Sequence, residues 1–271
     1  MISSTSAVID LGPGGAPTYV GLRSAAPLLL QPTPEALYLV GSAAGPLGGD
    51  QVSLDLRVRP GVALTVRSVA ATIARPGPRR SECSHLAISV DLADGASLRW
   101  LPEPGVAGEG CRHLVDAEVR LGRGCTLIWR EELILGRHGE APGSWASSLR
   151  VDLDGQPLLR QSLDLGASAP GCDGPAIAGD AHAVGSLLIV EPTLAWTSPR
   201  PPPVPDPAGR VRVMALAGPG LLVSALASTA TGLRQLLTSA AELASDLGTH
   251  PNSSRTSKFG DTPSEYTGSY G

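Results

Sequence analysis

Through much of this chain, apolar and polar residues alternate one by one. Val52, Leu54, Leu56 and Val58 fall on one face, and Ser53, Asp55, Arg57 and Arg59 on the other. A period of two over this length predicts a half-buried β-strand, not a helix. An apolar strand, Leu37-Tyr-Leu-Val, precedes it across the glycine turn Gly48-Gly49-Asp50. Gly61 closes it, and Val62-Ala-Leu64-Thr-Val66 begins another.

The unit recurs. Leu86, Ile88, Val90 and Leu92 alternate up to Asp94-Gly95, and Leu98-Arg-Trp100 follows. Val115, Ala117, Val119 and Leu121 alternate with Asp116, Glu118 and Arg120 up to Gly124, and Leu127-Ile-Trp129 follows. Leu149, Val151 and Leu153 lead to Asp154-Gly155, and the stretch from Leu158 to Leu165 follows. The copies lie roughly 30 residues apart, the spacing range of repeat architectures. One pair of strands cannot cover its own apolar face, so the copies must stack. Their gaps vary, which favours an irregular stack over a strict solenoid. The expected fold is all-β, an irregular stacked-strand, β-helix-like domain with few helices.

Residues 1–16 are small and read as a flexible N-terminus. Gly12-Pro-Gly14-Gly15 after Val8-Ile9 hints at a dinucleotide loop, but Pro17 stands at the third glycine position and no helical pattern follows. Leu22 to Gln31 reads as a strand whose Pro27 suits an edge. A loop over 166–185 leads into a strand from Ala183 to Glu191. Pro199, Pro201 to Pro203, Pro205 and Pro207 make 198–209 a stiff connection, and Val211 to Leu226 returns to strands. Between 229 and 247 the period changes. Leu233, Leu236, Leu237, Ala240, Ala244 and Leu247 form one face of a C-terminal amphipathic helix, with Gly248 suited to its cap. A single domain thus covers 17–248. Residues 249–271 read as a disordered polar tail, in which Phe259, Tyr266 and Tyr270 could dock a partner.

The 33 glycines and 25 prolines among 271 residues suit many strands joined by turns. Aromatics make up only 3%, so the core must be Leu, Val and Ala. A net charge of −4, with no basic stripe interleaved with aromatics, argues against nucleic acid as a partner. Residues 1–10 lack a basic region and a long apolar run, and no window reaches the ~20 apolar residues of a membrane span. The best window, Val213 to Ala227, is broken by Gly218-Pro219-Gly220. Cys83, Cys111, Cys125 and Cys172 then read as reduced thiols of a cytosolic protein.

Catalytic signatures are missing. Nucleophile elbow, phosphate loop and zinc-protease motif are absent, and the one lysine, Lys258, lies in the tail. Two pairs, Cys83-x-His85 and Cys111-x-His113, each share one face of a strand, so neighbouring strands could assemble a four-ligand metal site. Asp173, Asp180 and His182 are either solvated loop residues or weak metal contacts. The strand 127–135 is apolar on both faces. Glu132 has Arg130 beside it, whereas Glu131 stands alone among Leu127, Trp129, Leu133 and Leu135. A buried, unpaired carboxylate costs on the order of several kcal/mol. Glu131 therefore either meets a distant arginine or lines a wet cavity.

Three segments carry a family resemblance. The first is Pro27-Leu-Leu-Leu-Gln-Pro32, then Leu37-Tyr-Leu-Val and the turn ending Gly48-Gly49-Asp50. The second is Gly95-Ala-Ser-Leu-Arg-Trp100-Leu-Pro102-Glu-Pro104. The third runs from Glu131 to Leu135-Gly136-Arg137-His-Gly139-Glu140. In this order, and with the C-terminal helix, they resemble the urease accessory protein UreD (UreH) family over roughly residues 20–247. Four departures stand out. Ala44 and Pro46 interrupt the usual run before Gly48, Ile73 stands where a lysine is usual, Glu103 replaces a usual glutamine, and the spacer after Arg137 is short.

The resemblance implies a non-catalytic scaffold that helps load nickel into apo-urease in the cytoplasm. It implies no tightly bound cofactor, only transient nickel. The implied partners are apo-urease, a helical UreF-like accessory protein and, through it, a UreG-like GTPase that carries nickel. It also implies a water-filled passage for the ion. Asp50 and Glu131 are the candidates to line that passage, with Glu140 and Arg137 as further members and Gly48 and Gly49 shaping the turn at Asp50. Nickel in transit calls for carboxylates and water rather than a closed thiolate cage. Two rivals stay open: a structural interaction protein without a role in ion transfer, and a carbohydrate-active β-helix enzyme. The latter would need exposed acidic clusters and aromatic sugar platforms.

Overall fold

The alternating segments form strands that stack in register. The structure is a computed structural model and describes residues 1–79, 82–175, 177–192 and 210–248. In chain order the strands are β1 (Ile2–Leu11), β2 (Pro17–Arg23), β3 (Leu28–Pro32), β4 (Leu37–Gly41), β5 (Gln51–Val58), β6 (Ala63–Ser68), β7 (Thr72–Ala74), β8 (Ser84–Leu92) and β9 (Ser97–Leu101). They continue as β10 (Gly105–Ala107), β11 (Arg112–Leu121), β12 (Thr126–Ile134), β13 (Ser144–Leu153), β14 (Gln156–Leu165), β15 (Ala183–Val190), β16 (Val211–Ala215) and β17 (Gly220–Ala227). The helix α1 spans Ala230–Gly248. The prolines of 198–209 and the tail 249–271 lie outside the described residues.

The strands build two facing sheets and a β-solenoid of about four turns. One sheet runs β14-β13-β11-β8-β5-β1-β2, and the other β16-β17-β15-β12-β9-β6-β4-β3, with β10 joining β12 and β7. Each coil sends a strand up the first sheet, turns a corner and returns in the second. Like residues stack across coils: Leu56, Val90, Val119 and Val151 in one sheet, Leu64, Leu98 and Leu127 in the other. Trp100 and Trp129 stack with centroids 4.6 Å apart and planes 8° from parallel. Such a pair contributes about 0.5–1.5 kcal/mol beyond its burial.

The corners explain both the repeat and its end. Arg59–Val62, Ala93–Ala96 and Gly122–Cys125 are four-residue turns with glycine third, at φ of 72°, 69° and 67°. That left-handed conformation strains any residue with a Cβ. The fourth residues, Val62, Ala96 and Cys125, point inward and are fully buried. Backbone bonds link corner to corner, as in Gly95 N to Arg123 O at 2.8 Å. The fourth copy differs from the other three. Asp154 and Gly155, at φ of 48° and 74°, make a two-residue turn that folds β14 back beside β13 in the same sheet. Two successive left-handed residues favour such a tight hairpin. The coil therefore stops there.

Residues 2–11, read from the sequence as part of a flexible N-terminus, are instead strand β1, parallel to β5. Thr5 is fully buried, and its hydroxyl donates to Leu28 O at 2.9 Å and accepts from Ala25 N at 3.2 Å. Ala7 and Ile9 join the core opposite Leu56 and Val58. The stretch Leu22 to Gln31 is two strands rather than one, β2 and β3.

On α1, Leu233, Leu237, Ala240 and Ala241 are fully buried against β15, β16 and β17. Thr229 caps its start, its hydroxyl accepting from Gly232 N at 3.1 Å. Among the described residues, no helix is long and apolar enough to cross a membrane.

Candidate functional site

Leucine, valine and the tryptophan pair fill the space between the sheets at the corner end. Towards the opposite end, the sheets leave a cavity of about 440 Å³. Val52, Leu86, His113, Val115 and Ser147 line it from the first sheet, and Trp100, Arg130, Glu131 and Leu133 from the second. The connections that return each coil to the first sheet lie at this end. Asp50 sits in the connection before β5, and Arg137 and Glu140 in the one after β12.

Glu131 is the candidate residue that reaches the cavity wall. It follows Trp129 on the inner face of β12, and the Trp129 indole donates to its Oε1 at 2.9 Å. The residue is half-buried beside the cavity, and burial raises its pKa against the opposing effect of that bond. Of the two alternatives for this residue, the cavity is the one observed. The basic residues nearby serve its neighbour. Glu132 Oε2 lies 3.6 Å from Arg130 Nε and 2.6 Å from Arg234 Nη2. Arg234, on α1, also reaches Glu103 Oε2 at 3.1 Å. Burial alone would lower the Arg234 pKa, but the two carboxylates outweigh it and raise it. Glu103, Glu132 and Arg234 thus form a clasp that sequence reasoning missed beyond the Arg130–Glu132 pair.

Asp50, Glu140 and Arg137 are not among the cavity-lining residues. Asp50 Oδ2 accepts from Leu47 N at 2.9 Å, and Oδ1 lies 2.7 Å from the Met1 amino group. Burial works against its charge, but the amino group and the Leu47 amide outweigh it and hold the carboxyl below its ordinary range. Gly48 and Gly49 shape this turn. A Cβ on Gly48 would stand 2.6 Å from Gly77 N and 2.7 Å from Glu82 O, both backbone atoms. Glu140 pairs with Arg137, which donates from Nε at 2.7 Å. That contact holds the Glu140 carboxyl below its ordinary range.

The two Cys-x-His pairs do lie on neighbouring strands, but they do not assemble a metal site. Parallel pairing sets His113 opposite Ser84 and Leu114 opposite His85, an offset of one residue. Cys111 and His113 therefore face inward, while His85 faces outward to Asp116, at 2.9 Å. Among the described residues, no group of three or more His, Cys, Asp and Glu could hold a metal ion. The same holds for Asp173, Asp180 and His182; Asp180 pairs with Arg210.

His113 is 3% exposed and meets the Trp145 ring edge-on, with centroids 4.5 Å apart. Burial and then nearby His85 push its pKa down to about 4, with a weaker opposing bond from Ser84, so the ring is neutral at pH 7. Burial and then Cys83 push the Cys111 thiol up to about 11.

Residues 7–258 match the model of the UreD urease accessory protein family. The chain belongs to that family. UreD proteins are accessory and non-catalytic. The chain is 41% identical to the urease accessory protein UreD of Frankia alni, over 86% of this chain and 90% of the relative. It is 40% identical to that of Parafrankia sp., over 86% and 85%. The corresponding protein of Streptomyces coelicolor is 42% identical, over 73% and 77%.

Proposed function

We propose that this UreD-family chain acts in urease maturation as a scaffold through which nickel reaches apo-urease. Its partners are apo-urease and a helical UreF-like protein, which brings a UreG-like GTPase, and the site of action is the cytoplasm. Nickel is cargo here and no resident cofactor. The cavity between the sheets carries this reading, because Glu131, with Glu103 and Glu132, presents carboxylates in a space whose remaining wall is largely apolar, and Glu131 is the one of the three without an arginine partner among the described residues. A cation crossing such a space needs oxygen donors and water to replace part of its hydration shell. Asp50, with Gly48 and Gly49, and the Arg137–Glu140 pair stand in connections at the same end of the coils, and they serve the ends of the route.

Glu131→Gln and Asp50→Asn test it in cells that co-express the urease and accessory proteins. If the residues line the route, the accessory complex co-purifies at wild-type yield while urease activation falls about tenfold. Full activation by the double variant removes both residues from the route. Loss of assembly together with activation favours a structural role instead.

A further inference from the structure

We infer that Nε2 of His113 is a transient ligand for divalent nickel inside the cavity. This rests on the passage reading above and names a donor within it. His113 Nδ1 lies 2.8 Å from Ser84 Oγ, and the Ser84 hydroxyl donates to Arg112 O at 3.3 Å. Donation of that proton to Arg112 O makes Ser84 Oγ the acceptor, and in that arrangement Nδ1 carries the ring proton and Nε2 keeps its lone pair. Nε2 is buried without a hydrogen-bond partner among the described residues, and His113 lines the cavity, as does Glu131 from the facing sheet. One nitrogen held by a fixed acceptor and the other left bare is the usual arrangement of a metal-binding histidine. Imidazole also suits a borderline cation such as nickel better than carboxylate does.

The neighbourhood keeps the contact weak. Cys111 lies two residues before His113 on the same face, but its Sγ engages Ser144 O at 3.6 Å, which withholds a thiolate. Among the described residues, no third or fourth side chain closes a cage. Water must complete the shell, so the ion can leave.

The test uses the full chain in its co-purified accessory complex, with Ni²⁺ alone as the probe. In wild-type protein labelled with ¹⁵N-histidine, Ni²⁺ should broaden the His113 ring signals before those of His138 and His182. X-ray absorption should show imidazole bound to the nickel. His113→Phe keeps a ring against Trp145 without a donor, and His113→Gln provides a second, smaller change. Both should lose the imidazole signal and reduce urease activation about tenfold at limiting nickel, with recovery as nickel is raised. Unperturbed His113 signals in wild-type protein, with water alone in the cavity, overturn the inference whether or not a variant folds. If Glu131→Gln loses activation while both His113 variants keep it, the passage stands without His113. If all three activate fully, the passage reading fails as well.

Discussion

Arg234 of α1 and Glu132 of β12 stand 102 residues apart in sequence and 2.6 Å apart in space, Nη2 to Oε2. The Glu132 side chain is 1% exposed, so its charge depends on partners. Arg234→Ala leaves Glu132 with Arg130 at 3.6 Å and removes the ionic tie between helix and sheet. Breaking one arm of a buried ion pair costs about 3 kcal/mol, the low end for such pairs because Arg130 remains. The melting temperature should fall by roughly 5–10 °C. An unchanged transition in thermal denaturation would show that the clasp adds no stability.

His113 gives the chain a pH dependence of known sign. Its pKa falls from an ordinary 6.5 to about 4 in the folded protein. Between those values the unfolded chain binds more protons, so stability falls as pH drops from 6.5 towards 4. The full loss is about 3 kcal/mol. Chemical denaturation of wild type across this window should show it, and His113→Phe should flatten it. Equal slopes would assign the acid sensitivity to other groups.

Gly48 and Gly77 pass backbone against backbone, where a Cβ on Gly77 would stand 2.3 Å from Gly48 O. Neither neighbour is a flexible side-chain end, so the loops must part. Gly48→Ala should cost about 1–3 kcal/mol. It should also loosen the turn that holds Asp50, which proteolysis of the 42–50 connection would report. Wild-type resistance to protease would contradict this.

What the sequence made legible was local. The alternation at 52–58, 86–92 and 115–121 marks the inner faces, since period two is a property of neighbouring residues. The change of period after 229 marks α1 for the same reason. What stayed hidden depended on partners far along the chain. β1 looked flexible because Ser3, Ser4 and Ser6 surround Thr5 and precede Ala7 and Ile9, and β5, which pairs with them, begins at Gln51. The Cys-x-His pairs were visible, but the one-residue offset between β8 and β11 was not, and it turns the pairs to opposite faces. Glu131 was legible as a carboxylate in an apolar row. Glu103 pairs with Arg234, which no local pattern brings near it.

Glu131 separates a functional carboxylate from a structural one. Burial raises its pKa, so the folded state holds the proton more tightly than the unfolded chain does. The sign is opposite to that of His113. Stability from this group is full at acid pH and is lost as pH rises through the raised folded value. Glu131→Gln keeps an oxygen for the Trp129 N–H, bonded at 2.9 Å, and removes the charge. The variant should melt higher than wild type at pH 8 and no higher at pH 4, in paired thermal scans. A residue retained for stability would behave in the reverse way, with the variant melting lower at pH 8. A gain in stability together with a loss of urease activation would mean that the chain bears the cost of this buried carboxylate for the ion it passes on.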